Sequence, residues 1–137
     1  MHANDATLMI SISGVRGVVG PALNAEVACR LSAAFGTWAA PGPVVIGRDS
    51  RLSGPMIRHA VVAGLLSTGH DVIDLGIATT PTTEMLVTTH GASGGIIITA
   101  SHNPEPWNAL TLLASTGLFL SAAEGEAVLA IQRRERI

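Results

Sequence analysis

The chain has 137 residues, of which 47% are hydrophobic and 13% are charged, and its formal net charge is −2. This length suits one domain with a real core, and this composition is not that of a disordered chain. The small negative charge excludes electrostatic attraction to nucleic acid or to an anionic membrane, and no apolar run is long enough to span a bilayer.

The mean hydropathy of +0.44 is high for a small domain, which must place much of its chain at the surface. Two interpretations stay open: one face is covered by another domain or subunit, or the domain is a compact core with Ala-rich helices. The single cysteine, Cys29, cannot form an internal disulfide, and residues 1–7 lack the features of a signal peptide. These features predict a cytoplasmic protein.

Strands and helices alternate along the chain. Short apolar or β-branched runs predict strands at 8–13, 44–46, 71–75, 95–99 and 110–113. Helical periodicity, capping residues and Gly or Pro breaks predict helices at 24–38, 53–68, 80–90 and from 121 to the C-terminus. This order predicts an α/β fold: a single domain built as a three-layer α/β/α sandwich around a mixed, mostly parallel sheet.

Three polar loops are predicted at the carboxyl ends of strands, where ligands bind in an open α/β sheet. They span residues 13–17, 47–54 and 99–104. The third places Ser101 and His102 directly after a buried strand, and the following Asn-Pro turns the chain so that both side chains project outward. Serine hydrolysis is a poor interpretation, because neighbouring side chains diverge and no G-x-S-x-G elbow is present.

The segment Thr99-Ala-Ser-His-Asn-Pro104 resembles the active-site loop of the α-D-phosphohexomutases, which include phosphoglucomutase, phosphomannomutase and phosphoglucosamine mutase. Further segments resemble this family's landmarks in the same order: S-G-x-R-G at 13–17, G-R-D-x-R at 47–51 and G-x-x-x-T-P at 76–81. The resemblance identifies residues 1–137 as domain I, the phosphoserine-bearing domain, with domains II to IV absent from this chain.

The resemblance implies that Ser101 carries a phosphate, passes it to a hexose monophosphate and recovers a phosphate from the resulting bisphosphate. Hexose 1,6-bisphosphate would be the activator. Mg²⁺ would bind the phosphate on Ser101, with its other ligands mainly from another domain. Ser101, His102 and Arg16 are expected to be catalytic, and Arg16 offers a fixed charge that can contact phosphate. Binding or supporting roles are expected for Ser13, Gly14, Arg48, Asp49, Arg51, Asn103, Asn108 and Thr111.

Two further expectations concern side chains of these motifs. Asp49 is expected to hold Arg48 and Arg51 through ion pairs, and whether these three residues form a site or a structural network stays open. The histidines His59, His70 and His90 are expected at the surface. The tryptophans are expected to be packing residues rather than platforms for sugar, and they are Trp38 and Trp107.

The sequence departs from the family pattern N-P-x-x-x-N-G-x-K after the active-site loop. Asn108 is kept, but Ala109 replaces the Gly and Thr111 replaces the Lys, and the chain contains no Lys at all. The acidic D-x-D-x-D metal loop is also missing. We therefore expect a phosphohexomutase domain with little activity alone, which interconverts hexose 1-phosphate and hexose 6-phosphate with its remaining domains. The alternative is a non-catalytic module that binds a sugar phosphate or a partner.

The expected partners are a sugar phosphate and the remaining mutase domains, in the same or another chain. A further copy of this chain could also bind through the uncovered face. No nucleic-acid or membrane partner is expected.

Overall fold

The computed structural model of the protein describes residues 8–11, 13–100 and 103–135. Within them the chain forms six strands, which are β1 (Met9–Ser11), β2 (Gly14–Val18), β3 (Val44–Arg48), β4 (Val72–Ile77), β5 (Gly94–Ile98) and β6 (Trp107–Leu113). It also forms four helices, which are α1 (Ala25–Trp38), α2 (Gly54–Ser67), α3 (Thr80–Thr89) and α4 (Ala122–Glu135). In this described part of the chain no helix combines the length and apolar character needed to cross a membrane.

The six strands form one mixed sheet in the order β1-β2-β6-β5-β3-β4. Strand β3 pairs in parallel with both β5 and β4, whereas β6 pairs antiparallel with both β5 and β2. Because two antiparallel steps restore the direction, β2 runs the same way as β3, β4 and β5, while β1 and β6 run against them. The prediction of an α/β fold with a mixed sheet is confirmed, and of the five described strand pairs two are parallel and three are antiparallel.

The prediction of a polar loop at 13–17 is wrong, because this segment contains strand β2. Strand β2 pairs with β1 on one side and with β6 on the other. Gly14 looks like a turn glycine in the sequence, but a Cβ at this position would overlap the carbonyl oxygen of Leu110 in β6. The close approach of two strands requires this glycine, which also has a φ of +153°.

Apolar side chains pack on both faces of the sheet. The larger cluster lies between one face and helices α1, α2 and α4, and its members include Val15, Ile46, Phe35, Leu110 and Val128. The smaller cluster lies on the other face, where α3 covers β3 and β5, and it contains Val45, Val87, Ala92, Ile97 and Leu113. Helices on both faces of the sheet confirm the predicted three-layer sandwich.

Helix ends follow the predicted caps. Asn24 precedes α1, and its Oδ1 accepts a hydrogen bond from the backbone N of Val27 at 3.0 Å. Before α4, Ser121 Oγ accepts from the backbone N of Glu124 at 3.2 Å, and Glu124 Oε1 accepts from the backbone N of Ser121 at 2.8 Å. These reciprocal bonds form the predicted capping box, which fixes where α4 begins.

Gly64 in α2 and His70 in the loop after α2 have structural roles that the sequence does not reveal. Gly64 lets α2 lie close to α1, because a Cβ there would be 2.6 Å from the carbonyl oxygen of Cys29. His70 is 4% exposed, so the prediction of a surface histidine is wrong at this position. Both of its ring nitrogens lie 2.7 Å from backbone oxygens, those of Gly42 and Gly36, and the ring therefore ties α1 to the loop that follows it.

Candidate functional site

The loops that follow β3 and β5 meet at the carboxyl edge of the sheet, because the two strands are parallel neighbours. The backbone N of Asp49 donates to the oxygen of Ile98 at 3.0 Å. The carboxylate of Asp49 accepts from Thr99 Oγ1 at 2.7 Å and from the backbone N of Arg51 at 3.1 Å. One aspartate therefore joins the start of the Thr99–Pro104 segment to the neighbouring loop.

The guanidinium group of Arg51 binds the far end of the same segment. Its Nη1 donates to the oxygens of Pro104 at 2.7 Å and Trp107 at 3.1 Å, and its Nη2 donates to the oxygen of Asn103 at 2.6 Å. Its Nε lies 3.5 Å from Asp49 Oδ2 in an ion pair, and the Arg51 side chain is 12% exposed. Arg51 and Asp49 together hold both ends of the segment that carries the nucleophile motif.

Arg48 has a different environment from the one expected. Its Nη1 donates weakly, at 3.5 Å, to the backbone oxygen of Asp49 rather than to the carboxylate, so the expected ion pair with Asp49 is absent from the described contacts. The positive charge of Arg48 acts on Asp74 instead. Burial raises the pKa of Asp74. Hydrogen bonds from Gly76 and Arg58, together with the charges of Arg58 and Arg48, lower this pKa by a larger amount, so it lies below its usual value.

Asn108 is completely buried at the start of β6. Its Nδ2 donates to Ser53 Oγ at 2.8 Å, and its Oδ1 accepts from the backbone N of Ala109 at 2.8 Å. The side chain therefore connects β6 to the start of α2, and the structure places it among packing contacts.

Arg16 lies on the face of β2 that the larger core cluster does not use. Its neighbour Val15 is buried in that cluster, whereas Arg16 is exposed and its Nε lies 3.3 Å from Met9 Sδ on β1. Ala109 pairs with Arg16 and Thr111 pairs with Gly14, so Ala109 and Thr111 share the face of Arg16.

A shallow cavity of about 290 Å³ lies beside these residues. Its lining includes Ser11, Ser13, Gly14, Arg16, Ala109 and Thr111. The lining also includes the apolar residues Met9, Ile10, Val15 and Leu110, and Arg16 is the cation among the residues that line it. An arginine beside an open concavity can bind an anion such as a phosphate group.

Ser101 and His102, the two central residues of the predicted site, lie outside the described residues. On either side of them, the backbone N of Asn103 donates to the oxygen of Ala100 at 2.9 Å. The backbone N of Thr99 donates to the oxygen of Ala109 at 3.1 Å, and Ala109 is also the β6 residue that pairs with Arg16. The start of this segment therefore lies at the same level of the sheet as Arg16.

The structure thus divides the predicted residues into groups. Asp49, Arg51 and Asn103 form one network at the loop. Gly14, Arg16 and Thr111 share the open face, and Ser13 lines the cavity beside them. Arg48 and Asn108 point elsewhere. Three members of the network were missed by the sequence analysis: the hydroxyl of Thr99 and the backbone oxygens of Pro104 and Trp107. The signal for Thr99 was its place as the first residue of the motif, whereas a backbone oxygen carries no sequence signal.

The described residues do not fit a magnesium site by themselves. They contain no group of three or more His, Cys, Asp or Glu side chains that could hold a metal ion. The carboxylate beside the loop, Asp49, is already engaged by Thr99 and Arg51. An ion at this edge would need carboxylate ligands from elsewhere.

Comparison with known proteins relates the whole described fold to one family. Residues 9–136 match the model of the phosphoglucomutase/phosphomannomutase α/β/α domain I. A Thermococcus kodakarensis protein assigned as a phosphoglucosamine mutase is 46% identical over 106 residues, which are 77% of this chain and 24% of that protein. A phosphoglucomutase/phosphomannomutase of the same organism is 45% identical over 120 residues, which are 84% of this chain and 26% of that protein.

Solved structures agree with this relationship. The crystal structure of a Thermus thermophilus protein assigned as a phosphomannomutase matches with a TM-score of 0.84 and 28% identity, covering 91% of this chain and 30% of that one. A phosphoglucomutase/phosphomannomutase family protein from Burkholderia thailandensis matches with a TM-score of 0.77 and 28% identity, covering 94% of this chain and 31% of that one. The chain spans about a quarter of the length of the curated relatives it matches.

Proposed function

The chain belongs to the phosphoglucomutase/phosphomannomutase family as its domain I, and from this premise we propose that it carries phosphate on Ser101. The phosphate would serve the interconversion of hexose 1-phosphate and hexose 6-phosphate, with further mutase domains in the same or another chain completing the cleft. The cytoplasm, where hexose phosphates occur and a free cysteine stays reduced, is the proposed location.

The observation that carries this proposal is the anchoring of the chain on both sides of Ser101. Asp49 binds Thr99 before it, and Arg51 binds the oxygens of Asn103 and Pro104 after it. A nucleophile that gives up and takes back a phosphate must return to the same position in each cycle. A doubly anchored segment at the carboxyl edge of a sheet supports such a role better than a plain surface turn does.

The proposed chemistry is a balanced exchange of one phosphoryl group. The bond between phosphorus and Ser101 Oγ breaks, a new P–O bond forms to a hydroxyl of the hexose monophosphate, and the proton of that hydroxyl passes to Ser101 Oγ. In the return step Ser101 Oγ gives up this proton as it takes the other phosphoryl group of the bisphosphate, and the sugar oxygen that is released takes up the proton. Arg16 would bind phosphate oxygens from the open face of β2, and His102 would contact a phosphate or hydroxyl of the substrate.

Mg²⁺ and hexose 1,6-bisphosphate remain part of the proposal as cofactor and activator. Magnesium would neutralise charge on the phosphate when bound. We assign no step to it, because the described residues supply no set of ligands for it.

A second function is favoured by one specific observation. Thr111 stands on the face of Arg16, where the family pattern has a lysine, and a hydroxyl cannot supply a positive charge. A domain without this charge could bind a sugar phosphate or a partner without turnover. The two functions differ in whether Ser101 forms a covalent bond to phosphate.

The deciding experiment is intact-mass measurement with phosphopeptide mapping, before and after incubation with hexose 1,6-bisphosphate and Mg²⁺. A mass increase of one phosphate that maps to Ser101 and is missing in Ser101→Ala supports the carrier function. If no phosphate is incorporated while titration calorimetry still detects binding of hexose phosphate, the non-catalytic module is correct. If neither is detected, this chain neither takes up phosphate nor binds hexose phosphate without further mutase domains.

A further inference from the structure

The side chain of Arg51 occupies an unusual position for a loop arginine. It is 12% exposed, and it donates to backbone oxygens of residues 103–107. These oxygens belong to Asn103, Pro104 and Trp107, which are 52, 53 and 56 residues away in the sequence. A side chain buried to this degree and bound to one distant segment fixes the position of that segment.

Only a planar fork of donors suits this arrangement. Two nitrogens of the guanidinium group donate to the three backbone oxygens of residues 103, 104 and 107, while the third nitrogen, Nε, faces Asp49. An ammonium group has its donors on a single atom and cannot span the same oxygens. Lysine at position 51 would therefore keep the charge and lose most of the contacts.

The contacts of Asp49 complete a second anchor. Its carboxylate accepts from Thr99 Oγ1 at 2.7 Å, and it also orients Arg51 through the backbone N and the Nε of that residue. The two anchors are thus parts of one connected unit, which we name the Asp49–Arg51 clamp. It holds residue 99 at one end of the nucleophile-bearing segment and residues 103–107 at the other.

We infer that Arg51 is a positioning residue, which sets the place of Ser101 through the backbone of residues 103–107 without contacting the substrate. This inference rests on the proposed function for its chemical consequence, but the clamp itself is testable without it. A purely structural role would affect the stability of the whole fold. A positioning role affects the order of one segment and the rate of transfer.

The first test measures amide hydrogen exchange, which needs no phosphate chemistry. In Arg51→Lys the amides of Asn103 and Trp107, which donate within the clamped turns, should exchange at least about tenfold faster. The amide of Ile97 in β5 should stay unchanged. Arg58→Lys is the matched control, since Arg58 pairs with Asp74 and has no described contact with the segment. Unchanged exchange at both turn amides, or equal acceleration at Ile97, would overturn the inference.

The second test measures phosphate transfer from hexose 1,6-bisphosphate to Ser101. Arg51→Lys should lower the saturating rate by about 10- to 100-fold and leave the half-saturating concentration unchanged. In Arg51→Ala, added ethylguanidinium should restore part of the rate, which a general folding defect would not allow. A higher half-saturating concentration with an unchanged saturating rate would assign Arg51 to substrate binding and overturn the inference. If the unaltered protein takes up no phosphate, the carrier function fails, and the exchange test alone decides whether the clamp exists.

Discussion

Replacing Gly64 by alanine should destabilise the fold by about 1–2 kcal/mol, even though alanine is the better helix former by about 1 kcal/mol. An added Cβ would lie 2.6 Å from the oxygen of Cys29 and 2.9 Å from the backbone N of Ala33. Both atoms belong to the backbone of α1, so no side chain can rotate away. The helices must separate instead, which weakens the dispersion contacts of the buried Leu31 and Val61 between them.

The magnitude follows from these opposing effects. Overpacking a well-packed core costs about 1–3 kcal/mol, and the upper part of that range applies because backbone atoms must move. The propensity gain of alanine offsets about 1 kcal/mol of it. The remainder is large enough to measure in a domain of this size.

Urea unfolding followed by far-ultraviolet circular dichroism measures the effect. For Gly64→Ala the urea concentration at the unfolding midpoint should fall, while the slope of the free energy of unfolding against urea concentration stays the same. Gly54→Ala is the matched control in the same helix, because a Cβ there has its nearest neighbours at ordinary contact distances of 3.4–3.7 Å. Its free energy of unfolding should change by less than about 0.5 kcal/mol. A Gly64→Ala protein as stable as the original would refute the close approach of α1 and α2.

Two further predictions concern charge. The pKa of Asp74 is lowered in the folded protein, so its contribution to stability should be present above about pH 4 and lost as the pH falls below that value. Asp74→Asn should remove this part of the acid sensitivity. It should cost at most about 1 kcal/mol of stability at neutral pH, because the pair with Arg58 is partly exposed. Thermal unfolding between pH 2 and 7 measures both effects, and an unchanged pH profile in the variant would contradict the assignment. Thr111→Lys, which adds a cation on the face of Arg16, should accelerate phosphorylation of Ser101 by hexose bisphosphate at least about tenfold. An equal rate in Thr111→Lys would mean that position 111 does not limit transfer.

The fold class could be predicted because it depends on local patterns. The buried runs of β3 and β5, the cap at Asn24 and the capping box at Ser121 all leave signals within a few residues. Strand β2 was missed, because its two glycines at positions 14 and 17 resemble a turn when their neighbours in β6 are unknown. The place of β6 between β2 and β5 was also missed, since strand order depends on pairing between distant segments.

The site could be predicted as a set of residues but not as a geometry. The motifs named Asp49, Arg51 and Asn103, and these side chains or their backbone do meet. The motifs also named Asn108, whose amide instead faces Ser53 inside the packing of α2. Motif membership does not say on which face of a strand a side chain lies, and Arg51 binds residues 103, 104 and 107 through backbone oxygens that any residue type would supply.

The long sequence separations in the Asp49–Arg51 clamp have a consequence for how the protein folds. The hydrogen bonds from the clamp to residues 99–107 join positions 50 to 56 apart, so they cannot form until β3 and β5 are already paired. Helices and local turns can form earlier, but the two anchors of the Thr99–Pro104 segment form only after the sheet. If Ser101 carries phosphate as proposed, only molecules that have completed the sheet would have both anchors of its segment in place.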